Sequence, residues 1–144
     1  MAKTFESIRD YLVTQLLTIS DIEQVKTDPQ PSFEGYPAVT VYPTIQESDY
    51  QTTAQNLRTY RFMIPVFYET KNTPLGDAIV ALYEIVDQII DKIDQNPTAT
   101  GIVLPTGKML IDIQPVPSEW TEVQDMELIM VNIEVIIKIS SDFQ

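Results

Sequence analysis

Two long alternating segments constrain the fold of this chain more than any other feature. Over residues 58–68, every second position from Tyr60 onward is apolar, and from Ile129 to Ile139 every second residue is isoleucine or valine. A period of two predicts β-strands that each bury one face. At about 3.3 Å per residue, the first strand would span roughly 35 Å. Both strands therefore need other elements that can cover a long apolar face.

Two amphipathic helices are predicted to supply that cover. The first spans residues 4–19, with Thr4 as a possible cap, and its apolar residues recur at helical spacing: Phe5, Ile8, Leu12, Leu16 and Ile19. The second spans residues 73–95, with Thr73 as N-cap and Pro74 at the first helical position. Its apolar stripe is Leu75, Ile79, Leu82, Val86, Ile89 and Ile93.

The remaining segments predict shorter strands and polar connections. Residues 21–25 and 38–45 are short strands, the first at a sheet edge and the second interrupted near Pro43; residues 101–116 are predicted as a hairpin that turns at 105–108. The polar segments 46–56 and 117–125 are predicted loops, as is the proline-rich segment 26–37. The sequence thus predicts one α+β domain over residues 1–144, a two-layer fold in which a mostly antiparallel or mixed sheet with two long strands carries both helices on one face.

Composition narrows the chemistry that the chain can perform. Histidine and cysteine are both absent, which removes the commonest general base, thiolate nucleophiles, and zinc sites built on nitrogen or sulfur. Gly107-Lys108 lacks the rest of a phosphate-binding loop. Asp87 and Asp91, one helical turn apart, could bind a divalent ion weakly, but their spacing is more typical of a solvated helix face. We therefore expect no catalytic residues, no cofactor, no bound metal and no enzyme activity.

Charge and hydropathy bear on partners and location. The net charge of −12 argues against tight binding of DNA or RNA, although DNA could pass nearby without adhering. No apolar run approaches the 18 residues of a membrane span, and the polar N-terminal residues are not typical of a signal peptide. We expect no membrane association.

Because two helices can cover only one side of the sheet, the opposite side is the candidate interaction surface. It combines apolar and charged residues, a mixture typical of protein–protein interfaces, although an ordinary half-exposed sheet face remains an alternative. Tyr50 and Trp120 stand in the two polar loops and are candidate aromatic anchors, while Trp120 could equally cap the core. The candidate interface residues are Tyr50, Arg61, Met63, Phe67, Trp120, Leu128 and Met130.

The order and spacing of these patterns resemble one known family. The chain has an F-x-x-I-x-x-x-L helix at Phe5, then F-x-x-YPAVTVYP from Phe33 to Pro43, then N-x-R-x-Y-x-F-x-I-x-V from Asn56 to Val66, and finally a long helix and a long closing strand. This arrangement, over nearly the whole chain, resembles the tail terminator or tail completion proteins of long-tailed bacteriophages. No single motif among these is specific to the family.

The resemblance implies a structural role. Members of that family form a hexameric ring on the last ring of the tail tube, stop tube polymerisation and provide the docking surface for the head-side connector or stopper protein. It also implies sheets and extended loops as ring contacts, DNA passing through an acidic channel without specific binding, assembly in the host cytoplasm and location in the tail or neck of the virion. The alternatives are another phage neck protein, such as a head-completion or stopper subunit, and a small oligomeric α+β ligand-binding domain.

Overall fold

A single mixed sheet with two helices makes up the described part of the chain. The computed structural model describes residues 4–27, 35–50, 55–96, 99, 102–123 and 127–142, and only the backbone of residues 45–50, 55, 56 and 142 among them. The elements are α1 (Thr4–Leu17), β1 (Gln24–Lys26), β2 (Ala38–Thr40), β3 (Tyr42–Tyr50), β4 (Gln55–Glu69), α2 (Leu75–Asp94), β5 (Lys108–Pro117), β6 (Thr121–Val123) and β7 (Leu128–Asp142). The predicted α+β class is confirmed.

The two long predicted strands form the centre of the sheet. β4 and β7 have 15 residues each and pair antiparallel from Gln55 opposite Asp142 to Glu69 opposite Leu128, with no shift of register. An unbroken ladder of this length satisfies the backbone hydrogen bonds of both strands along one side. Every other strand joins this pair directly or through one neighbour.

The outer strands follow the order β1-β2-β4-β7-β5, with β3 also on β4 and β6 also on β7. β1 pairs with β2 in parallel, whereas the other pairs are antiparallel, so the sheet is mixed. β1 lies at one end of this order, as the sequence predicted for an edge strand near residues 21–25. β5 lies at the other end.

Both helices pack on the same face of the sheet. Their apolar residues and one set of alternating strand residues form a single buried core, which includes Ile8, Leu12, Leu82, Ile89, Phe62, Ile64, Ile133 and Ile137. Phe5 and Leu75, predicted to belong to the apolar stripes, are instead 39% and 42% exposed. Within the described residues, neither helix has the length and apolar character that a membrane span requires.

Residues 46–56 do not form the predicted loop. β3 continues through Tyr50 and pairs with β4 as far as Asn56, so most of this polar segment is a strand, and residues 51–54 lie outside the described residues. The prediction failed because it required an apolar alternation. A polar strand can be held by the backbone ladder of a long neighbour, and that neighbour is not visible in the local sequence.

Pro65 marks the place where pairing along β4 changes partner. Val39 lies opposite Val66 and Tyr42 opposite Met63, so the break between β2 and β3 falls beside Ile64 and Pro65. Proline has no N–H to give to a ladder. The interruption predicted near Pro43 is therefore present, but it begins at Val41, whose amide donates to the Lys26 carbonyl of β1 instead.

Four further details differ from the prediction. Residues 102–105 are not a strand, so the predicted hairpin over 101–116 is wrong, and the turn at Gly107, with φ of +85°, leads into β5 alone. The predicted loop 117–125 contains β6, which pairs with β7. α1 ends at Leu17, and α2 begins at Leu75 with Pro74 as its N-cap and no side-chain cap, because the helix starts two residues beyond Thr73.

Truncating the core beneath α2 should strongly destabilise the fold. Ile133 of β7 is fully buried, so we expect Ile133→Ala to lower the free energy of unfolding by about 2–5 kcal/mol through lost burial and a cavity. Val80→Ala on the exposed side of α2, where Val80 is 60% exposed, should change it by less than about 0.5 kcal/mol. Urea unfolding would measure both, and equal losses would contradict the packing described.

Candidate interaction face

The face of the sheet opposite the helices carries most of the predicted interface residues. We call it the outer face and define it by Arg61, Met63, Pro65 and Phe67 of β4 and Leu128, Met130, Asn132, Glu134 and Ile136 of β7. The register places Phe67 opposite Met130 and Met63 opposite Glu134. Residues directly opposite each other share a face. The structure therefore brings Arg61, Met63, Phe67, Leu128 and Met130 together, and in the described residues no helix packs over them.

An ion pair crosses the middle of this face. Arg61 Nη1 lies 3.0 Å from Glu134 Oε1 and donates a hydrogen bond to it. The two residues are diagonal neighbours, because Arg61 stands opposite Ile136 and Glu134 opposite Met63. Their side chains are 29% and 34% exposed, so water still screens the pair. The pair makes the outer face nearly neutral at its centre in a chain of net charge −12.

The apolar members of the face differ in exposure. Phe67 and Leu128 are each 4% exposed, although they lie outside the main core cluster. Met63, Met130 and Ile136 are only half-buried. A partner would thus meet chiefly the two methionines and Ile136, whose flexible or branched apolar side chains are typical of contact surfaces.

A shallow depression lies on the outer face. Its volume is about 290 Å³ and its lining residues come from four strands: Tyr42, Pro65, Phe67, Thr121, Glu122, Val123, Met130 and Asn132. Tyr42 stands opposite Met63, and Thr121 of β6 stands opposite Met130. The depression is open to solvent, and its lining mixes apolar with polar side chains.

Sequence reasoning missed Tyr42 and β6 as parts of this face. Tyr42 follows Thr40 in the alternation of residues 38–42, and that signal alone would have assigned it to the non-core side. β6 gave no such signal, because three residues are too few to show a period. Its place depends on pairing with β7.

Of the two predicted aromatic anchors, Trp120 alone has a described side chain. Trp120 is half-buried against the core, and its backbone N–H donates to the Tyr83 hydroxyl of α2 at 3.0 Å. This is the core-capping position that the sequence left open for Trp120. The backbone of Tyr50 lies in β3, opposite Asn56, and its side chain is not among the described parts of the chain. Interface roles for both remain predictions.

The described residues contain no group of three or more acidic side chains placed to hold a metal ion. Near the Leu128 end of the sheet, burial raises the pKa of Tyr36, and the nearby Glu69 carboxylate raises it further. Both effects favour the neutral phenol.

The chemistry that the outer face offers is apolar contact, one accessible ion pair and hydrogen bonds, which suits recognition of a protein surface.

The ion pair should contribute little to the stability of the isolated chain. Glu134→Gln removes its negative charge, and we expect a loss below about 1 kcal/mol in the free energy of unfolding, smaller still at high salt. Glu122→Gln on β6 provides a control for removal of an exposed carboxylate. Urea unfolding at two salt concentrations measures both variants, and a loss above about 3 kcal/mol for Glu134→Gln would mean that the pair is a structural element of the fold.

No known protein family matches the sequence, and no curated protein matches it either. The fold, in contrast, has a counterpart among solved structures. A chain in the structure titled "Virion of native gene transfer agent (GTA) particle" superposes with a TM-score of 0.57 at 12% sequence identity, over 90% of this chain and 92% of that one. At this identity the likeness establishes a shared fold that extends across nearly the full length of both chains.

Proposed function

We propose that this protein is a structural subunit of a phage-like virion, which forms a ring that caps the tail tube. The observation that supports the proposal best is the match over nearly the whole of both chains to a component of a gene transfer agent virion. The uncovered, partly apolar outer face supports it independently, because such a face suits contact with another protein.

The proposed ring stops tube polymerisation and provides the docking surface for the head-side connector or stopper protein. The subunit is not an enzyme in this proposal. Its partners are further copies of itself in a hexamer, the tail tube protein and the connector, and DNA passes through the ring without specific binding. The subunits assemble in the host cytoplasm and stay in the tail or neck of the particle. The resemblance in sequence order to tail terminator proteins motivates these finer assignments.

The outer face is the surface through which the proposed subunit would meet its partners. Met63 lies opposite Glu134 of the ion pair and Met130 lies opposite Phe67, and both methionines are only half-buried. A charge buried in an apolar contact without a partner is costly, so one carboxylate at either position would oppose association. The fold should tolerate the same change, because both positions already contact water.

We expect Met63→Glu and Met130→Glu each to remain folded but to fail at tail capping. The assay mixes purified protein with polymerising tail tube protein and measures tube length and end rings by electron microscopy. Wild type should shorten the tubes and add a terminal ring, while the two variants should leave the tubes long. Val80→Glu, at a 60% exposed apolar position on α2, is the matched control and should cap like wild type.

Two outcomes would count against this proposal. If the wild-type protein stays monomeric by light scattering, both alone and with tube protein, the proposed ring is excluded. Because some interfaces form only on a template, a monomer in isolation is compatible with it. Capping by Met63→Glu and Met130→Glu at the wild-type level would keep the ring but exclude the outer face as its contact.

The isolated protein should not bind DNA. With 21 acidic and 9 basic residues, its surface repels the phosphate backbone, which would let DNA slide through a channel. At about 0.15 M salt we expect no shift of duplex DNA in a gel, at protein concentrations where non-specific binders with micromolar to sub-millimolar constants bind. A shift with a steep dependence on salt would instead favour a connector that contacts DNA.

A further inference from the structure

The unpaired edge of β5 has features that favour pairing with another strand, but its sequence opposes such pairing. β5 is ten residues long and, in the described part of the chain, pairs with β7 on one side alone. Three apolar side chains along it are well exposed: Met109 at 61%, Ile111 at 51% and Val116 at 42%. A long apolar edge strand is a template for pairing with another chain. Some other feature must decide whether that pairing occurs.

Hydrogen bonding at the end of β5 shows which residues face β7. The Ser118 N–H donates to the Asn132 carbonyl at 2.7 Å, which continues the register of Pro117 opposite Ile133. In an antiparallel pair, hydrogen-bonded and non-hydrogen-bonded positions alternate. Since the register is unbroken from Asp112 to Pro117, the even-numbered residues direct N–H and C=O groups toward β7. The odd-numbered residues direct theirs to the open edge.

Both prolines of β5 occupy odd-numbered positions. Pro115 and Pro117 therefore cost the β5–β7 ladder no hydrogen bond, and the donors that they lack are missing from the open edge. Among the three outward positions in this stretch, only Ile113 keeps an N–H. A register shift between Leu110 and Asp112 leaves Ile111 as an extra residue, which also disturbs the edge.

We propose that Pro115 and Pro117 close the β5 edge to strand addition by a second copy of this chain. The prolines leave the fold intact and remove the donors that a second copy would need. Copies of the chain then meet through side chains, such as those of the outer face, and not through a β-ladder shared at β5. This inference concerns the chain itself and stands whether or not the protein caps a tail tube.

The test restores the missing donors. Pro115→Val/Pro117→Val gives the open edge N–H groups at 113, 115 and 117 and adds strand-forming side chains. We expect self-association through β5 edges, seen as an apparent mass by light scattering that rises with concentration beyond that of wild type. Pro105→Val is the control, since Pro105 precedes β5 in the turn and only its carbonyl, which accepts from Lys108, is used there.

Hydrogen exchange at Ile113 gives a second, local measurement. Its side chain is 8% exposed, but its amide faces the open edge, so we expect rapid exchange in wild type. In the double variant this amide should exchange at about one tenth of the wild-type rate or slower, because an added strand would protect it. Residues 114 and 116, which face β7, should be protected in both proteins.

Each result decides the proposal without reference to tail capping. A folded double variant with the mass and the Ile113 exchange rate of the Pro105→Val control would overturn it. Slow exchange of Ile113 in monomeric wild type would overturn it too, because the amide would then already have a partner. If the double variant does not fold, Pro117→Val alone at the strand end gives the same comparison, and wild-type Ile113 still tests the direction of the edge. Failure of the capping assay would leave all of these measurements unaffected.

Discussion

The antiparallel pairing of β4 with β7 is the interaction on which the rest of the molecule depends. Fifteen residues of each strand pair without a shift of register, so the apolar alternation of both strands falls on one common face. A slip of one residue would move every apolar side chain of a strand to the opposite face. The helices gain a continuous apolar surface because this register holds over the full length of both strands.

The same pairing creates the outer face. With both helices on one side, the other side of β4 and β7 carries the alternate residues, and these are neither fully polar nor fully apolar. The Arg61–Glu134 pair and the half-buried methionines can contact water in the single chain and another protein in an assembly. The edge of β5 has the opposite character, since prolines replace the donors that pairing would use. Under the two proposals, the sheet meets partners through its outer face, while the β5 edge is closed to strand addition.

The sequence pattern was sufficient to predict an element wherever its periodic apolar face was long. The two long strands, both helices, the α+β class and the grouping of Met63, Phe67, Leu128 and Met130 follow from periods of 2 and 3.6 residues, because burial of one face imposes that period directly. The prediction was wrong for residues 46–50, for the hairpin before β5 and for β6. Those elements are held by backbone ladders to β4 or β7, and backbone hydrogen bonding leaves little trace in side-chain polarity.

The sequence by itself determined the chemistry that is open to this protein and which faces of its long elements must be buried. The absence of histidine and cysteine and the net charge of −12 belong to the composition, and no fold changes them. Only the tertiary structure decided that Trp120 packs on the core, that Arg61 reaches Glu134 and that Pro115 and Pro117 face the open edge. Each of these depends on which residues of distant strands lie opposite one another. Strand register is fixed by the packing of the whole sheet and not by any local segment.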